Sequence, residues 1–115
     1  MGKWGNMKKE KEFLYVGYYT DAENRKILKI GTTDNLKRRQ KEHNRYYKTD
    51  FKYLWSLPLS KYNTIRFEDS NREMWKEAGI GEYIRNDRFV LHEALPKVTV
   101  KIRKEYTIDL AEMFS

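Results

Sequence analysis

The chain lacks cysteine entirely and has only two prolines among its 115 residues. Without cysteine it can form neither disulfide bonds nor thiolate metal sites, so packing alone must stabilise the fold, as is typical of a reducing compartment. No apolar run approaches the roughly 20 residues that span a bilayer, and the N-terminus has no stretch of signal-peptide type. These absences exclude a disulfide-stapled secreted domain and a helical membrane span, and they predict a cytoplasmic protein without a membrane partner.

The chain also lacks internal repeats and any linker rich in proline, glycine or serine. Its length is the commonest size for one domain. We therefore expect a flexible leader over residues 1–12, where no periodicity is sustained, and a single domain over residues 13–115. Because charged residues make up 36% of the sequence, the core should be modest, and nine tyrosines, five phenylalanines and three tryptophans should supply much of it.

Positive charge is present in excess, and it is concentrated in one segment. Residues 25–48 hold nine basic and two acidic residues, so their net charge equals the +7 of the whole chain. A local patch of this kind indicates a polyanionic partner, for which DNA is expected and RNA is an alternative, whereas a charge run can also simply face water. The residues predicted to bind nucleic acid are Arg25, Lys26, Lys37, Arg38, Lys41 and Arg45.

The hydrophobic pattern predicts an α/β (α+β) fold with a small, mostly antiparallel central sheet flanked by helices. FLYVGYY and ILKIG, joined by the turn TDAENRK, predict a β-hairpin. Residues 51–59 predict a third strand that Pro58 ends or confines to a sheet edge, because proline cannot donate to the ladder. Beyond Gly81 come a short EYIRN segment, the apolar run RFVL, the alternating pattern VTVKI and a further strand candidate, YTIDL. His92, which no motif surrounds, is interpreted as structural.

Two helices are predicted, and the first follows the hairpin. Asp34 is a suitable N-cap, and the helix is expected to run through Tyr46. Residues at i, i+3, i+4 and i+7 lie on the same side of a helix. One face of this helix is therefore expected to carry Leu36, Arg39, Gln40 and His43.

The second helix is expected to run from residue 64 to residue 78 and to stop at Gly79. Its inward stripe is predicted to consist of Ile65, Glu68, Arg72 and Trp75. The apolar Ile65 indicates that Glu68 also faces inward. A carboxylate in such a position usually has a charged partner or a metal ion.

The segment YVGYYTDAENRKILKIGTTDNLKRRQKEHNR resembles the first half of a GIY-YIG nuclease domain. Phe13-Leu14-Tyr15 stands at the GIY motif and Lys29-Ile30-Gly31 at the YIG motif, with Lys29 in place of the family's tyrosine. RRQKEHN supplies the family's helical arginine and histidine, and FEDSNREMW supplies a glutamate on a later helix. The resemblance covers residues 13–91, and the motif spacing is similar to that of the structure-specific branch of the family.

This resemblance implies a metal-dependent endonuclease that hydrolyses phosphodiester bonds in DNA with Mg²⁺ or Mn²⁺ as cofactor. It implies that Glu68 binds the metal and that the catalytic residues are Tyr15, Lys29, Arg39, His43 and Glu68. The chemistry needs a base for water and cations for the phosphate, and Mg²⁺ needs only one or two protein carboxylates. Tyr15 can be the base if Lys29 and Arg39 depress its pKa, and His43 can relay the proton.

Each of these residues also has an ordinary structural interpretation. Tyr15 can be a strand aromatic, and Tyr18 or Tyr19 can take its place if the hairpin register is shifted. Tyr19 lies on the same strand face as Tyr15. Arg39 and His43 can simply cover the core, and Glu68 can face solvent. At the level of function, the alternatives are a catalytically inactive nucleic-acid-binding module of the same fold and a basic protein-interaction domain. The oligomeric state stays open.

Overall fold

The computed structural model describes residues 11–85, 87–91, 99–103 and 106–109. Within these ranges the order of elements is β1 (Lys11–Thr20), β2 (Lys26–Thr33), α1 (Leu36–Tyr47), β3 (Lys52–Ser60), α2 (Lys61–Ala78), β4 (Glu82–Ile84), β5 (Arg88–Leu91), β6 (Thr99–Arg103) and β7 (Tyr106–Asp109). No helix of the described ranges is long and apolar enough to cross a membrane. His92 and the first ten residues of the predicted leader lie outside these ranges, and β1 begins two residues before the predicted domain start.

Five strands form one sheet in the order β3-β1-β2-β5-β4, and every adjacent pair is antiparallel. Strands β6 and β7 form a separate antiparallel pair. The predicted fold class, an antiparallel sheet flanked by helices, is therefore confirmed. The edge position predicted for the strand containing Pro58 is also confirmed, because β3 borders the sheet and pairs only through β1 within the described residues. Proline is tolerated in an edge strand because some of its backbone positions face solvent and do not have to donate an N–H to a neighbouring strand.

The sheet separates two clusters of buried side chains. Alternation along β1 directs Leu14 and Val16 to one face and Tyr15 and Tyr19 to the other. The first face packs against α2 through Trp75, whereas the second packs against α1. Aromatic rings are prominent in both clusters, as the composition predicts. A helix on each face thus leaves the tyrosine-bearing side of β1 directed toward α1.

The N-cap of α1 is Asn35, so the prediction of Asp34 was wrong by one residue. The Asn35 side chain accepts a hydrogen bond from the Arg38 amide at 2.9 Å, while Asp34 forms an ion pair with the Arg38 guanidinium. Aspartate and asparagine are equally good caps, so local preference cannot choose between them. The choice is made by Thr33, whose hydroxyl bonds both the amide and the carbonyl of Asn35 at 3.1 Å. The helix ends at Tyr47, one residue later than predicted.

Helix α2 begins three residues earlier than predicted, because Ser60 caps it. It stops at Gly79 as predicted, and Gly79 has a φ of 66°. Its predicted stripe is wrong at Ile65, which is 48% exposed. The buried positions are Thr64, Asn71 and Trp75. Two of these are polar, so hydrophobicity alone could not identify the inward face.

Asn71 explains why a polar residue is buried at the centre of α2. Its amide nitrogen donates to the Lys101 carbonyl at 2.8 Å, and its amide oxygen accepts from the Lys101 backbone N–H at 2.7 Å. The indole of Trp75 donates to the Thr99 carbonyl at 2.7 Å. These bonds dock β6 onto α2, and they satisfy polar groups that would otherwise be costly to bury.

Candidate active site

A pocket of about 800 Å³ brings together all five residues that the sequence predicts to be catalytic. Tyr15 comes from β1, Lys29 from β2, Arg39 and His43 from α1, and Glu68 from α2. The remaining lining residues are Gly31, Thr32, Glu42, Arg45, Tyr46, Tyr47 and Asp87. Residues from four separate elements therefore converge on one cavity.

The pocket lies where β2 extends past its neighbour. Strand β5 starts at Arg88, opposite Lys29, and the turn before it takes over the pairing, since the Asp87 carbonyl accepts from the Ile30 amide at 3.1 Å. Beyond that point, Gly31 and Thr32 line the pocket. This gap in the sheet allows Glu68, from the helix on the opposite face, to reach the same cavity as Tyr15.

Tyr15 and His43 form a buried hydrogen bond, with 2.8 Å between the phenol oxygen and the ring Nε2. The ring of Tyr15 crosses Gly31, its partner residue in the β1–β2 ladder. A Cβ atom at Gly31 would lie 2.6 Å from the Tyr15 oxygen and 2.7 Å from its Cζ, which is too close for any side chain. Gly31 is therefore required for Tyr15 to reach His43.

The glycine requirement makes a direct prediction for Gly31→Ala. Tyr15 is 1% exposed and cannot swing aside, so the added methyl should displace its ring and break the bond to His43. We expect a loss of roughly 1–3 kcal/mol in the free energy of unfolding, which is typical of an overpacked core, together with loss of whatever activity the pocket supports. Denaturant unfolding and an activity assay check this. Gly79→Ala is the control, because a Cβ there meets open space and the strain of its positive φ affects stability alone.

Burial governs the ionisation of this pair. It raises the pKa of Tyr15 well above the ordinary value, and the opposing charge of Arg39 does not compensate. The expectation that nearby cations depress the pKa of Tyr15 was therefore wrong, because loss of hydration outweighs their field. Burial, assisted by the charges of Lys29, Arg39 and Arg88, lowers the pKa of His43 to about 4. His43 is thus neutral at pH 7 and can accept the Tyr15 proton at Nε2.

A column of stacked rings supports His43. Tyr47 stacks on His43 with 5.5 Å between ring centroids, and Tyr19 stacks on Tyr47 at 4.5 Å. The guanidinium of Arg88 lies 5.0 Å from the Tyr47 ring centroid and donates to the Tyr19 hydroxyl at 3.0 Å. Tyr19, the alternative to Tyr15, is therefore a supporting residue outside the pocket lining. The Tyr15–Gly31 pairing excludes the shifted register that would exchange them.

Glu68 lies in an acidic cluster whose other pocket-lining member, Asp87, the sequence analysis missed. Arg72 holds the cluster together, because its Nη1 lies 2.9 Å from Asp87 Oδ1 and 3.7 Å from Glu68 Oε2. Burial and the neighbouring Asp87 raise the pKa of the Glu68 carboxyl. Burial also acts to raise the pKa of Asp87, but hydrogen bonds from Glu68 and Arg72 more than offset it, and the pKa of Asp87 is lowered. Glu68 is therefore the member of the pair that is more readily protonated.

Asp87 could hardly have been found from the sequence. It lies in the turn between β4 and β5 with a φ of 60°, a left-handed conformation that aspartate tolerates better than most residues. In the sequence, the turn between two short strands is sufficient reason for an aspartate at this position, so nothing there indicates a role in the pocket. Only the contacts with α2 reveal that its carboxylate also faces the pocket.

The two cationic side chains of the pocket, Lys29 and Arg39, differ in solvent exposure. Lys29 is only 7% exposed, and burial lowers its pKa to about 8, against the opposing charges of Asp87 and Glu68. The side chain of Arg39 is 38% exposed, and its Nη1 lies 3.4 Å from Glu42. Its Nε is buried and has no hydrogen-bond partner in the described part of the chain. Arg39 thus has a donor to offer to an acidic ligand in the pocket.

The six predicted nucleic-acid-binding residues are spread over a wider surface than the pocket. Only Arg45 lines it. Arg25 pairs with Asp21 at 2.8 Å, and Arg38 pairs with Asp34. The other three are exposed: Lys26, Lys37 and Lys41.

A divalent cation would find two carboxylates at the inner end of the pocket. Mg²⁺ takes one or two protein carboxylates and completes its shell with water and phosphate oxygens. Glu68 and Asp87 fit this requirement, because both carboxyl groups line the pocket and Arg72 contacts each of them. No cluster of three or more metal-ligating side chains occurs in the described ranges. Any metal held here would therefore depend on substrate and water for its remaining ligands.

Comparison with known proteins identifies the family. The model of the T5orf172 domain matches residues 12–106. No curated protein and no solved structure matches the chain. The GIY-YIG assignment was wrong, because it rested on short motifs that specify few positions and from which Phe13, Leu14 and Lys29 depart. The family that does match is compatible with nuclease activity and with nucleic-acid binding. Since the match covers most of its length, the chain belongs to the T5orf172 domain family.

Proposed function

We propose that the protein is a metal-dependent endonuclease that hydrolyses phosphodiester bonds in DNA. The observation that carries this proposal is the convergence of Tyr15, Lys29, Arg39, His43 and Glu68 on one open pocket. The pocket combines a neutral base, two cations and a carboxylate pair. Metal-assisted hydrolysis of a phosphodiester uses a base for water, positive charge at the phosphate and carboxylates that can hold the metal ion.

Arg39 and Lys29 are proposed to bind the phosphate that is attacked. A guanidinium offers a planar set of donors that matches phosphate oxygens, and the buried Nε of Arg39 has no competing partner among the described residues. Lys29 adds a second positive charge from the floor of the pocket. Charge that develops on the phosphate in the transition state is stabilised most where water is excluded, as it is around Lys29.

His43 is proposed to be the final proton acceptor, acting through Tyr15. A water molecule attacks phosphorus as it transfers a proton to the Tyr15 oxygen, and Tyr15 passes its own proton to Nε2 of His43 over 2.8 Å. The bond from phosphorus to the leaving oxygen breaks, and that oxygen takes a proton from solvent. This relay avoids a free phenolate, which burial makes unfavourable. Burial and the neighbouring cations also disfavour protonated His43, and the negative charge of the bound phosphate would offset that cost.

Glu68 and Asp87 are proposed to hold Mg²⁺ or Mn²⁺. When bound, such an ion polarises the phosphate and neutralises its charge. Arg72 fixes both carboxylates in place, since it contacts each of them.

Incubating the purified protein with supercoiled plasmid, with Mg²⁺ and with a chelator, tests this function. Nicked or linear products that require Mg²⁺ are the expected result. Binding without cutting would replace the nuclease with a nucleic-acid-binding module of the same fold. If the protein neither binds nor cuts, the protein-interaction alternative takes its place.

DNA affinity is expected to fall steeply with salt if residues 25–48 contact the phosphate backbone. The log-log slope should be about −0.9 for each phosphate neutralised. Reversing the charges of the exposed Lys37 and Lys41 should flatten this slope and weaken binding without unfolding the protein. Fluorescence anisotropy titrations at several salt concentrations measure both effects.

A matched control keeps the total charge change constant. Lys61 and Arg66 are also exposed, but they lie on α2, outside the basic segment. Reversing these two charges should change the slope much less. Equal slopes for the two double variants, or affinity that is insensitive to salt, would contradict a role for the basic segment.

A further inference from the structure

One large aromatic side chain is exposed at the rim of the pocket. Tyr46, in the last turn of α1, is 75% exposed and lines the pocket next to Arg45. Single exposed aromatic residues are common on protein surfaces. Tyr46 differs from an ordinary surface tyrosine because it adjoins a basic side chain at the opening of a cavity that already holds Arg39.

The ring of Tyr46 contacts the ring of its neighbour Tyr47. It meets the Tyr47 ring edge-on, with 4.9 Å between centroids and 90° between planes. Tyr47 is itself fixed, because Tyr19 and His43 both stack against it. The Tyr47 ring therefore cannot accept a ligand between these partners, whereas Tyr46 presents its ring to solvent from a rigid support.

We propose that Tyr46 stacks on an unpaired nucleobase next to the phosphate that is cut, so that the preferred substrates are single-stranded or branched nucleic acids. This inference rests on the proposed function and names its substrate class. In an intact duplex both faces of every base are covered by its neighbours, so an aromatic side chain can stack only on a base that has left the helix. A basic residue beside an exposed aromatic ring is the combination that binds single strands irrespective of sequence.

The position of Arg45 supports this occupant. Arg45 and Tyr46 are consecutive residues that line the same opening, and Arg39 lies six residues before Arg45, more than one and a half helical turns away. A nucleotide that places its phosphate against the arginines thus has its base within reach of the Tyr46 ring. An apolar ligand would match the ring but would leave the Nε of Arg39, which has no hydrogen-bond partner among the described residues, without an acceptor.

The inference is tested by binding, which needs no catalysis. Labelled oligonucleotides, one single-stranded and one fully duplex, are titrated in a chelator by fluorescence anisotropy, and a 2-aminopurine base in the single strand reports stacking by quenching. The wild type should bind the single strand more tightly than the duplex and quench the probe. Tyr46→Ala should lose the quenching and about 5- to 150-fold in single-strand affinity, while duplex affinity stays unchanged.

Two further variants make the result specific. Tyr46→Trp keeps a stacking surface and should retain both affinity and quenching. Tyr62→Ala removes a tyrosine of similar exposure, 73%, from α2 outside the pocket lining, and it should change neither. Equal losses for single strand and duplex in Tyr46→Ala, or no loss at all, would overturn the inference. The binding titrations contain a chelator, so their outcome does not depend on cleavage. If the protein cuts no DNA in the plasmid assay with Mg²⁺, the proposed nuclease activity is refuted, and the stacking by Tyr46 can still be judged from the titrations.

Discussion

Glu68→Gln is expected to abolish cleavage and the response to divalent cations while the fold and DNA affinity are preserved. Glutamine keeps the shape and hydrogen-bonding capacity of the side chain but removes the anion that a hard cation requires. Burial and the neighbouring Asp87 raise the pKa of Glu68, so a neutral analogue should be well tolerated at this position. DNA affinity should stay close to that of the wild type, because a carboxyl whose pKa is raised contributes little negative charge near the phosphate.

This prediction needs three measurements on one preparation: melting temperature, DNA affinity and cleavage as a function of Mg²⁺. Glu77→Gln is the matched control, because Glu77 is exposed on the same helix and lies outside the pocket lining. It should behave as the wild type in every assay. Mg²⁺-dependent cutting by Glu68→Gln would refute the metal site. A lower melting temperature with unchanged activity per folded molecule would make Glu68 a structural residue.

Arg39→Ala is expected to reduce cleavage by at least about 10² to 10³, the usual effect of removing one donor from a developing negative charge. Water can replace neither the fixed charge nor the planar geometry of the guanidinium. Arg39→Lys keeps the charge but not the forked geometry, so it should recover only part of the rate. Single-turnover cleavage at saturating DNA measures these effects without interference from weaker binding.

Arg38 provides the comparison for Arg39. It is the preceding residue of α1, but its guanidinium pairs with Asp34 and it does not line the pocket. Arg38→Ala should weaken DNA binding modestly and leave the saturated rate unchanged. If Arg39→Ala cuts as fast as the wild type, or if both variants lose the same rate, Arg39 does not contact the transferring phosphate.

The parts of the fold that could be predicted are those that local sequence specifies. The hairpin followed from two runs rich in aromatic and aliphatic residues joined by a polar turn, and the ladder pairs Tyr15 with Gly31 as an unshifted hairpin requires. The face of α1 that carries Arg39 and His43 followed from the helical repeat. The end of α2 at Gly79 followed from the preference of glycine for positive φ.

The second helix shows where local reasoning reached a correct placement through a wrong premise. Glu68 does face the pocket, but the apolar residue that predicted this, Ile65, is exposed. The buried face carries Asn71, whose amide is satisfied by the backbone of β6. A pattern based on hydrophobicity cannot anticipate a buried polar residue, because its cost is removed by a partner 30 residues away in sequence.

By itself, then, the sequence determined the strands and helices, the basic segment and the helical pair of Arg39 and His43, because periodicity, capping and charge are properties of neighbouring residues. Only the tertiary structure decided that Asp87 lies beside Glu68. It also decided that burial raises the pKa of Tyr15 by more than the nearby cations lower it. Both depend on groups far apart in the chain. Strand β5 starts opposite Lys29, and the gap beyond it lets the Glu68 side chain of α2 line the pocket. The resulting exclusion of water from the pocket shifts the pKa values of its side chains.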